Sequence, residues 1–287
     1  MIIYKLDNIN AIITGGSQGL GKQIAKDFLQ EGASVAICAR NVETLQIAYN
    51  ELQQYTQKGR LLIYDKADVS DLADARRFIE VCTGRFGRID VLVNNAGILG
   101  AINTIDDDEF DIENWINTLN INLLGTMHMC LAVAPHFKKN RSGRIINLSG
   151  GGATAPMPGM SAYAASKAAV VRFTETIALE LERYNIYVNA VAPGAMNTRM
   201  LDEVLAKGKG KVTEEYYNKQ LSLKENGGTP PHIAAELCVY LASGKSDPVT
   251  GKLISAVWDD WKNLHNQIGK LAPDAYTLRR IIPIVEK

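Results

Sequence analysis

Short apolar runs alternate along the chain with longer stretches in which apolar residues recur every three or four positions. A continuous apolar run predicts a strand that is buried on both faces of a parallel sheet, and the longer period predicts an amphipathic helix. This alternation is typical of a doubly wound, Rossmann-type α/β fold, here a parallel sheet of about seven strands with helices on both faces. The predicted strands are Ala11–Ile13, Ser34–Ala39, Leu61–Tyr64, Ile89–Val93, Arg144–Leu148, Ile186–Ala190 and Leu253–Val257.

One predicted helix contains residues that are unusual inside a helix. Glu113–Lys139 has the apolar period of a single long helix, yet it includes Asn120, Asn122 and Gly125. Because an Asn amide competes for backbone hydrogen bonds, two asparagines followed by a Gly predict either a local kink or a specific polar role for their side chains. The other predicted helices are Lys22–Glu31, Asn41–Gly59, Asp71–Phe86, Ser161–Glu182 and Pro230–Ser243.

The chain shows no internal repeat or domain linker, and we predict one dinucleotide-binding and catalytic domain over residues 1–287. The charged segment at about 196–228 follows the carboxyl end of a strand, where α/β sheets bind ligands, and is predicted to be a mobile substrate lid. Its basic run Lys207–Lys211 is either a solvated loop or a segment that attracts a phosphate-bearing substrate. In a C-terminal extension at about 258–287, Trp258 and Trp261 pack over the substrate entrance, across a subunit interface, or in the core.

The composition narrows the class of protein. The 287 residues include 31 basic and 31 acidic side chains, a balance that argues against a nucleic-acid-binding protein. No segment approaches the roughly 20 apolar residues that span a membrane, and the N-terminus lacks the features of a signal peptide. The four cysteines are far apart, which predicts buried thiols in a reducing compartment and neither disulfides nor a metal site. We therefore predict a cytoplasmic protein.

A glycine-rich turn follows the first predicted strand. The sequence GGSQGLG lies between that strand and a helix, with Gly15, Gly19 and Gly21 at a spacing related to the dinucleotide-binding fingerprint. Glycines without a Cβ allow a pyrophosphate to approach the amide groups at a helix N-terminus. This arrangement favours dinucleotide binding over a merely flexible loop.

The end of the second strand indicates which dinucleotide is preferred. An acidic residue there would bind a free ribose 2′-hydroxyl and repel a 2′-phosphate. Ala39 stands where an acid would be, and Arg40 follows, whose guanidinium suits a phosphate dianion. We predict a preference for NADP(H). The alternative is a surface arginine and a site that also accepts NAD(H).

Tyr163 and Lys167 are four residues apart in a predicted helix, which places both side chains on one face. A phenol beside an ammonium is a plausible acid/base pair, because positive charge lowers the pKa of a tyrosine from about 10 towards neutrality. The alternative is an ordinary helix with a core tyrosine and a solvated lysine.

Five motifs occur in order along the chain: TGGSQGLG, NNAG, a Trp–Asn pair (Trp115 and Asn122), YAASK and PGAMNT. In this order and spacing the chain resembles the short-chain dehydrogenases/reductases, in particular the single-domain branch with 3-oxoacyl-carrier-protein-reductase-like members. The resemblance extends to about Val257. The ordered set is far more specific than any one of the motifs.

The resemblance implies a role for each matching residue. Tyr163 is expected to be the general acid or base, Lys167 to bind the nicotinamide ribose and lower the tyrosine pKa, and Asn122 to anchor a water in a proton relay. A homodimer or homotetramer is implied, assembled through the two long helices. The residues expected to bind the cofactor, besides Tyr163 and Lys167, are Thr14, Gly15, Ser17, Gly19, Leu20, Gly21, Arg40, Asp68, Val69, Asn95, Ala96, Gly97, Pro193, Gly194, Met196 and Thr198.

One position departs from the family pattern. The catalytic Ser that the family places thirteen residues before the Tyr is Gly150 here, and Ser149 lies one residue early. Losing one preorganised donor typically costs about 3–4 kcal/mol in transition-state stabilisation. Either Ser149 or Thr154 supplies the hydroxyl, or a water or substrate hydroxyl replaces it, or the chain is a poor catalyst.

We therefore predict an oxidoreductase that transfers a hydride between NADP(H) and a ketone or secondary alcohol of a polar small molecule, sugar derivatives included. One alternative is nucleotide-sugar epimerase or dehydratase chemistry through a transient keto intermediate. The other is a weakly catalytic NADP(H)-binding protein, as the glycine at position 150 suggests.

Overall fold

Every strand predicted from the apolar runs is present in the computed structural model, which describes residues 5–280. All pairings between neighbouring strands are parallel. The strands are β1 (Asn10–Thr14), β2 (Ser34–Ala39), β3 (Leu62–Lys66), β4 (Val91–Asn94), β5 (Gly143–Leu148), β6 (Ile186–Ala192) and β7 (Leu253–Ser255).

The sheet has the order β3-β2-β1-β4-β5-β6-β7. The chain therefore winds outwards in one direction from β1 to β3 and in the other direction from β4 to β7. Between β1 and β4 the direction reverses, and parallel α/β sheets bind ligands at the carboxyl ends of the strands at such a point. The glycine turn after β1 and the NNAG motif after β4 both lie at this point.

Helices cover both faces of the sheet, as a doubly wound fold requires. Alternate residues of β1 point to opposite faces: Ile13 packs with α1, α2 and α9, and Ile12 packs with α3, α5 and α6. The helices are α1 (Gly19–Gln30), α2 (Val42–Leu52), α3 (Leu72–Phe86), α4 (Ile112–Leu119), α5 (Gly125–Asn140), α6 (Ser161–Leu181), α7 (Arg199–Lys207), α8 (Glu214–Asn226), α9 (Pro231–Ala242) and α10 (Leu264–Gln267).

The long helix predicted over Glu113–Lys139 is interrupted. A π-helical turn, Asn120–Leu124, separates α4 from α5. Gly125 begins α5 against Val69, whose Cγ2 would lie only 2.6 Å from a Cβ at position 125. The irregularity predicted from the two asparagines and the glycine is therefore confirmed, and the close contact with Val69 explains the glycine.

The segment predicted to be a mobile substrate lid is mostly helical, because it forms α7 and α8. Val204 and Val212 of this segment are buried against Leu99 and Met160. Lys211, from the basic run, forms an ion pair with Asp107 in the connection between β4 and α4. Lys211 therefore joins this segment to that connection, although its side chain remains partly exposed.

The C-terminal extension covers the edge of the sheet. Tyr276 accepts a hydrogen bond from the backbone N–H of Leu253 (2.7 Å), and the Lys252 ammonium donates to the carbonyl oxygens of Pro273 (2.9 Å) and Ala275 (2.8 Å). The buried carboxylate of Glu175 accepts from the backbone N–H of residue 278 (2.7 Å). Residues 281–287 of the predicted extension lie outside the described part of the chain.

The two tryptophans of the extension lie in different environments. Trp261 is only 7% exposed and packs on Tyr240, with 5.6 Å between ring centroids, whereas Trp258 is 85% exposed. β7 ends two residues earlier than predicted because the Ser255 hydroxyl accepts hydrogen bonds from the N–H groups of Val257 (3.3 Å) and Trp258 (3.2 Å). The chain turns there, and one tryptophan enters the core while the other faces solvent.

The four cysteines are buried free thiols, as predicted. Within residues 5–280, each helix is too short or too polar to cross a lipid bilayer.

Gly100→Ala should destabilise the protein more than Gly59→Ala. Both glycines have a positive φ, +79° and +81°, so an Ala costs about 1–2 kcal/mol at either position. A Cβ at position 100 would also lie 1.8 Å from the hydroxyl oxygen of buried Thr118, whereas position 59 faces open space. We expect an additional loss of about 1–3 kcal/mol for Gly100→Ala in urea unfolding. Equal losses in the two variants would refute the tight contact.

Candidate active site

The glycine turn after β1 leaves the N-terminus of α1 open. Gly15 and Gly19 have φ values of +64° and +53°, which favour glycine. The N-cap residue, Gln18, makes no side-chain hydrogen bond to the first turn, and a Cβ at Gly19 would face open space. The first N–H groups of α1 are thus available to an anion such as a pyrophosphate. Ser17 and Leu20, predicted to bind the cofactor, lie in this turn and at the start of α1, where Leu20 is buried.

Thr14 and Asn95 hold the turn against the end of β4. The Thr14 hydroxyl accepts hydrogen bonds from the N–H groups of Asn95 and Ala96, both at 3.0 Å. In return the Asn95 amide donates to the carbonyl oxygens of Thr14 (2.9 Å) and Gly15 (3.2 Å). A Cβ at Gly21 would lie 2.3 Å from the Gly15 oxygen, so only glycine fits there. Both polar side chains therefore shape the turn.

The residues predicted to surround the adenosine lie at the ends of β2 and β3. Arg40 is exposed, and within residues 5–280 it forms no ion pair, so its guanidinium is free for a ligand. The Asp68 carboxylate accepts hydrogen bonds from the N–H (2.9 Å) and the hydroxyl (2.7 Å) of Ser70. Val69 is buried, and its carbonyl oxygen lies 3.0 Å from Nδ1 of His128.

Asn122, in the π-helical turn, joins the NNAG segment to α6. Its fully buried amide accepts a hydrogen bond from the N–H of Ile98 (2.8 Å) and donates to the Ile98 carbonyl (2.9 Å) and the Ser166 hydroxyl (3.0 Å). A Cβ at Gly97 would lie 3.1 Å from Oδ1 of Asn122 and 3.5 Å from Nζ of Lys167. The structure thus brings the three predicted residues Gly97, Asn122 and Lys167 together.

Lys167 is buried and donates a hydrogen bond to the carbonyl oxygen of Leu148 at the end of β5 (2.9 Å). Burial lowers the pKa of its ammonium to about 8. Nζ lies 5.8 Å from the centroid of the Tyr163 ring. The lysine therefore faces the tyrosine, as the helical spacing predicted.

The pKa of Tyr163 changes in the opposite direction to the one predicted. Loss of water around the hydroxyl, with a smaller effect from Tyr216, raises its pKa to about 12. The prediction was wrong because it considered the charge of Lys167 and not the burial of the phenol itself, which disfavours phenolate. Burial also lowers the pKa of Lys167, so it shifts both groups towards their neutral forms.

The absence of a side chain at Gly150 leaves space for the Tyr163 hydroxyl. The backbone at Gly150 is extended (φ −174°), so other residues could adopt it, but a Cβ there would lie 2.4 Å from the tyrosine oxygen. The nearby hydroxyls lie elsewhere. Ser149 is buried with its Oγ 3.5 Å from the carbonyl oxygen of Lys167, and Thr154 is exposed at the end of a short turn.

The PGAMNT motif follows β6. Gly194 has a φ of +87°, and a Cβ there would lie 2.7 Å from both the Thr229 hydroxyl and a methyl group of Val257. The N–H of Thr229 donates to the carbonyl oxygen of Ala195 (2.7 Å). The remaining predicted residues of this motif are Pro193, which is buried, Met196, which is half-buried, and Thr198, the N-cap of α7.

Sequence reasoning missed two residues near the site, Thr229 and Tyr216. Thr229 contacts the PGAMNT motif, and Tyr216 packs against the same apolar cluster as Tyr163. No motif marks either residue. The only signal was the aromatic pair of Tyr216 and Tyr217 in the charged segment.

Residues 9–209 match the family model described as short chain dehydrogenase. The chain is a short-chain dehydrogenase/reductase. Its curated relatives include the (2S)-[(R)-hydroxy(phenyl)methyl]succinyl-CoA dehydrogenase subunit BbsD of Thauera aromatica, 34% identical over 87% of this chain and 95% of the relative. They also include a 3-oxoacyl-[acyl-carrier-protein] reductase of Thermotoga maritima, 34% identical over 87% of this chain and 96% of the relative.

Solved structures of other short-chain dehydrogenases/reductases have the same fold. An NAD+-bound xylitol dehydrogenase matches with a TM-score of 0.78 and 26% identity, covering 88% of this chain and 98% of that one. A 7α-hydroxysteroid dehydrogenase with NADH and 7-oxo glycochenodeoxycholic acid matches with a TM-score of 0.77 and 29% identity, covering 88% and 94%. The family resemblance and the predicted fold are therefore confirmed, and the chain is an oxidoreductase of CH–OH and C=O groups.

Tyr163 should remain protonated at a pH at which an ordinary tyrosine is half ionised. Because burial raises its pKa to about 12, wild-type protein and Tyr163→Phe should have equal phenolate absorbance at about pH 10 in the absence of cofactor. Tyr187→Phe, at a half-buried tyrosine of β6, controls for the loss of one phenol. A loss of about half a phenolate in Tyr163→Phe would contradict the raised pKa.

Proposed function

We propose that this short-chain dehydrogenase/reductase transfers a hydride between NADP(H) and a ketone or secondary alcohol, with Tyr163, Lys167 and Asn122 handling the proton. The observation that carries the proposal is the buried arrangement in which Asn122 and Lys167 meet Gly97 while Lys167 faces the Tyr163 ring at 5.8 Å. The cofactor, when bound, supplies or accepts the hydride.

The residues of the site fit such a cofactor. The uncapped first turn of α1, with open space in front of Gly19, suits a pyrophosphate. Gly97 has no side chain that would come between the cofactor and Lys167. Thr14, Asn95 and Gly21 would hold the turn in shape for it. Pro193, Gly194, Met196 and Thr198 would border the nicotinamide end.

The pKa values suit Tyr163 to the reductive direction. A phenol with a pKa of about 12 is protonated at neutral pH and can donate its proton to the carbonyl oxygen as the hydride arrives at carbon. Lys167, with a pKa of about 8, remains mostly charged at neutral pH yet gives up a proton readily. It can therefore return a proton towards the phenolate, with Asn122 holding the relay in place.

The side chains around Tyr163 indicate which class of substrate the site would accept. The ring packs against an apolar cluster that includes Leu99, Ile102 and Met160, with Met157 and Met200 beside it. These neighbours favour a substrate whose reacting carbon carries an apolar substituent over a sugar derivative. Two relatives are named as a dehydrogenase of an acyl-CoA compound and a reductase of 3-oxoacyl groups on a carrier protein, which makes acetoacetyl-CoA a suitable first probe.

Tyr163→Phe should lower turnover about 10²–10⁴-fold, because the phenyl ring keeps the packing but has no proton to transfer. The measurement is the loss of NADPH absorbance with acetoacetyl-CoA, and NADPH binding followed by its fluorescence should change little. Equal turnover in the variant and the wild type would exclude Tyr163 as the acid. NADPH binding without turnover by the wild type would favour the second candidate, a weakly catalytic cofactor-binding protein, which the missing hydroxyl at Gly150 suggests.

Arg40→Asp should lower the preference for NADP(H) over NAD(H) by at least about tenfold, because a carboxylate at the end of β2 repels a 2′-phosphate. Support comes from the exposed guanidinium and from Ala39, which leaves no acid at this place. The preference is measured as the ratio of kcat/KM for the two cofactors. Arg85→Asp makes the same charge change at an exposed position of α3 and should leave the ratio unchanged. An unaltered ratio in Arg40→Asp would rule out contact with the 2′-phosphate.

We also propose that the protein forms a homodimer or homotetramer and is located in the cytoplasm. The outer surfaces of α5 and α6 expose Leu131 (47%) and Leu179 (77%), which supports a homodimer or homotetramer built on these helices. The four unpaired cysteines support a cytoplasmic location.

A further inference from the structure

The substrate oxygen lacks one of its expected hydrogen-bond donors on the sheet side of the site. Gly150 has no side chain, and the space that one would fill is taken by the Tyr163 hydroxyl, 2.4 Å from the ideal Cβ position. The buried Ser149 hydroxyl is directed at the carbonyl oxygen of Lys167, 3.5 Å away. A second side-chain donor would therefore have to come from another direction.

Tyr163 also packs against an apolar cluster to which the segment of α7 and α8 contributes Val204 and Val212. Tyr216, in the first turn of α8, is half-buried and packs against the same apolar cluster as Tyr163, which includes Met160 and Val212. Its hydroxyl makes no hydrogen bond with another residue in the described range 5–280. The two phenols are also within electrostatic reach, because Tyr216 contributes to the raised pKa of Tyr163.

The position of Tyr216 is fixed by contacts on both sides of Val212. The Lys211 ammonium pairs with Asp107, and a Cβ at Gly159 would lie 2.5 Å from the Lys211 carbonyl oxygen. The Thr213 hydroxyl accepts a hydrogen bond from the N–H of Tyr216 (3.3 Å) and caps α8. The start of α8 is thus held against the loop that leads into α6.

We propose that Tyr216 is a catalytic residue whose hydroxyl donates the second hydrogen bond to the substrate carbonyl oxygen, in place of the serine that Gly150 lacks. The inference rests on the proposed function, since it concerns the same reacting oxygen. Tyr163 and Tyr216 then hold the oxygen between two phenols. Both stay protonated at neutral pH, because burial raises the pKa of each.

This arrangement has a consequence for specificity. A serine after β5 would place the donor on the sheet, whereas Tyr216 also packs against the apolar cluster. A substrate whose oxygen lies between the two phenols would have its neighbouring groups close to that cluster, so carbonyl compounds with an apolar substituent are expected to react faster than small polar ones.

Tyr216→Phe tests the proposal, and Tyr217→Phe is the matched control. Tyr217 is the next residue of α8, is half-buried like Tyr216, and packs on the same cluster. With acetoacetyl-CoA and NADPH, we expect Tyr216→Phe to lower kcat about 100-fold while the KM for NADPH stays within about twofold, as for loss of one oxyanion donor. Tyr217→Phe should keep kcat within about twofold of the wild type.

The outcomes separate this inference from the proposed function. An active wild type with unchanged kcat in Tyr216→Phe would overturn the role of Tyr216 and leave the role of Tyr163 standing. Equal losses in the Tyr216 and Tyr217 variants, with lowered thermal stability in both, would show that α8 acts only by packing and would also overturn it. If the wild type turns over neither acetoacetyl-CoA nor a panel of aliphatic and cyclic ketones, the proposed function fails and this inference fails with it.

Discussion

Four hydrogen bonds between the ends of β1 and β4 hold the switch point of the sheet together. They use the side chains of only two residues, Thr14 and Asn95. Each of these side chains bonds to the backbone of the other strand's extension, so the glycine turn and the NNAG segment are fixed relative to each other. From there the connection continues through Asn122 to Ser166 in α6. The glycine turn, the NNAG segment and α6 are therefore held in fixed positions relative to one another, although they are distant in sequence.

The second constraint is the burial of two ionisable groups on the same face of α6. In water a lysine and a tyrosine have similar pKa values, near 10. Burial separates them to about 8 for Lys167 and about 12 for Tyr163, because it disfavours an ammonium and a phenolate alike. The proton therefore resides on the phenol when the lysine begins to lose its own. This order suits a site that must deliver a proton to oxygen.

The sequence predicted the sheet and the helices that cover it, because apolar periodicity is local in the chain, and its motifs indicated residues such as Gly97, Asn122 and Lys167 that the fold brings together. Three features could not be predicted, and each depends on contacts between distant segments. The raised pKa of Tyr163 depends on what surrounds its hydroxyl. The reason for a glycine at position 150 depends on the position of the Tyr163 hydroxyl, which occupies the space of a side chain there. Tyr216 belongs to a charged segment with weak amphipathic pattern, so neither α8 nor its contact with the α6 region could be predicted.

The cover over β7 has a consequence for how copies of the protein meet one another. An uncovered edge strand offers free N–H and C=O groups to any other strand, which is a route to aggregation. Here the N–H of Leu253 is occupied by the carbonyl of Tyr276, and Lys252 fixes the same segment. The chain itself therefore closes this edge, and without residues 272–280 the backbone of β7 would be open to a strand of another copy of the protein.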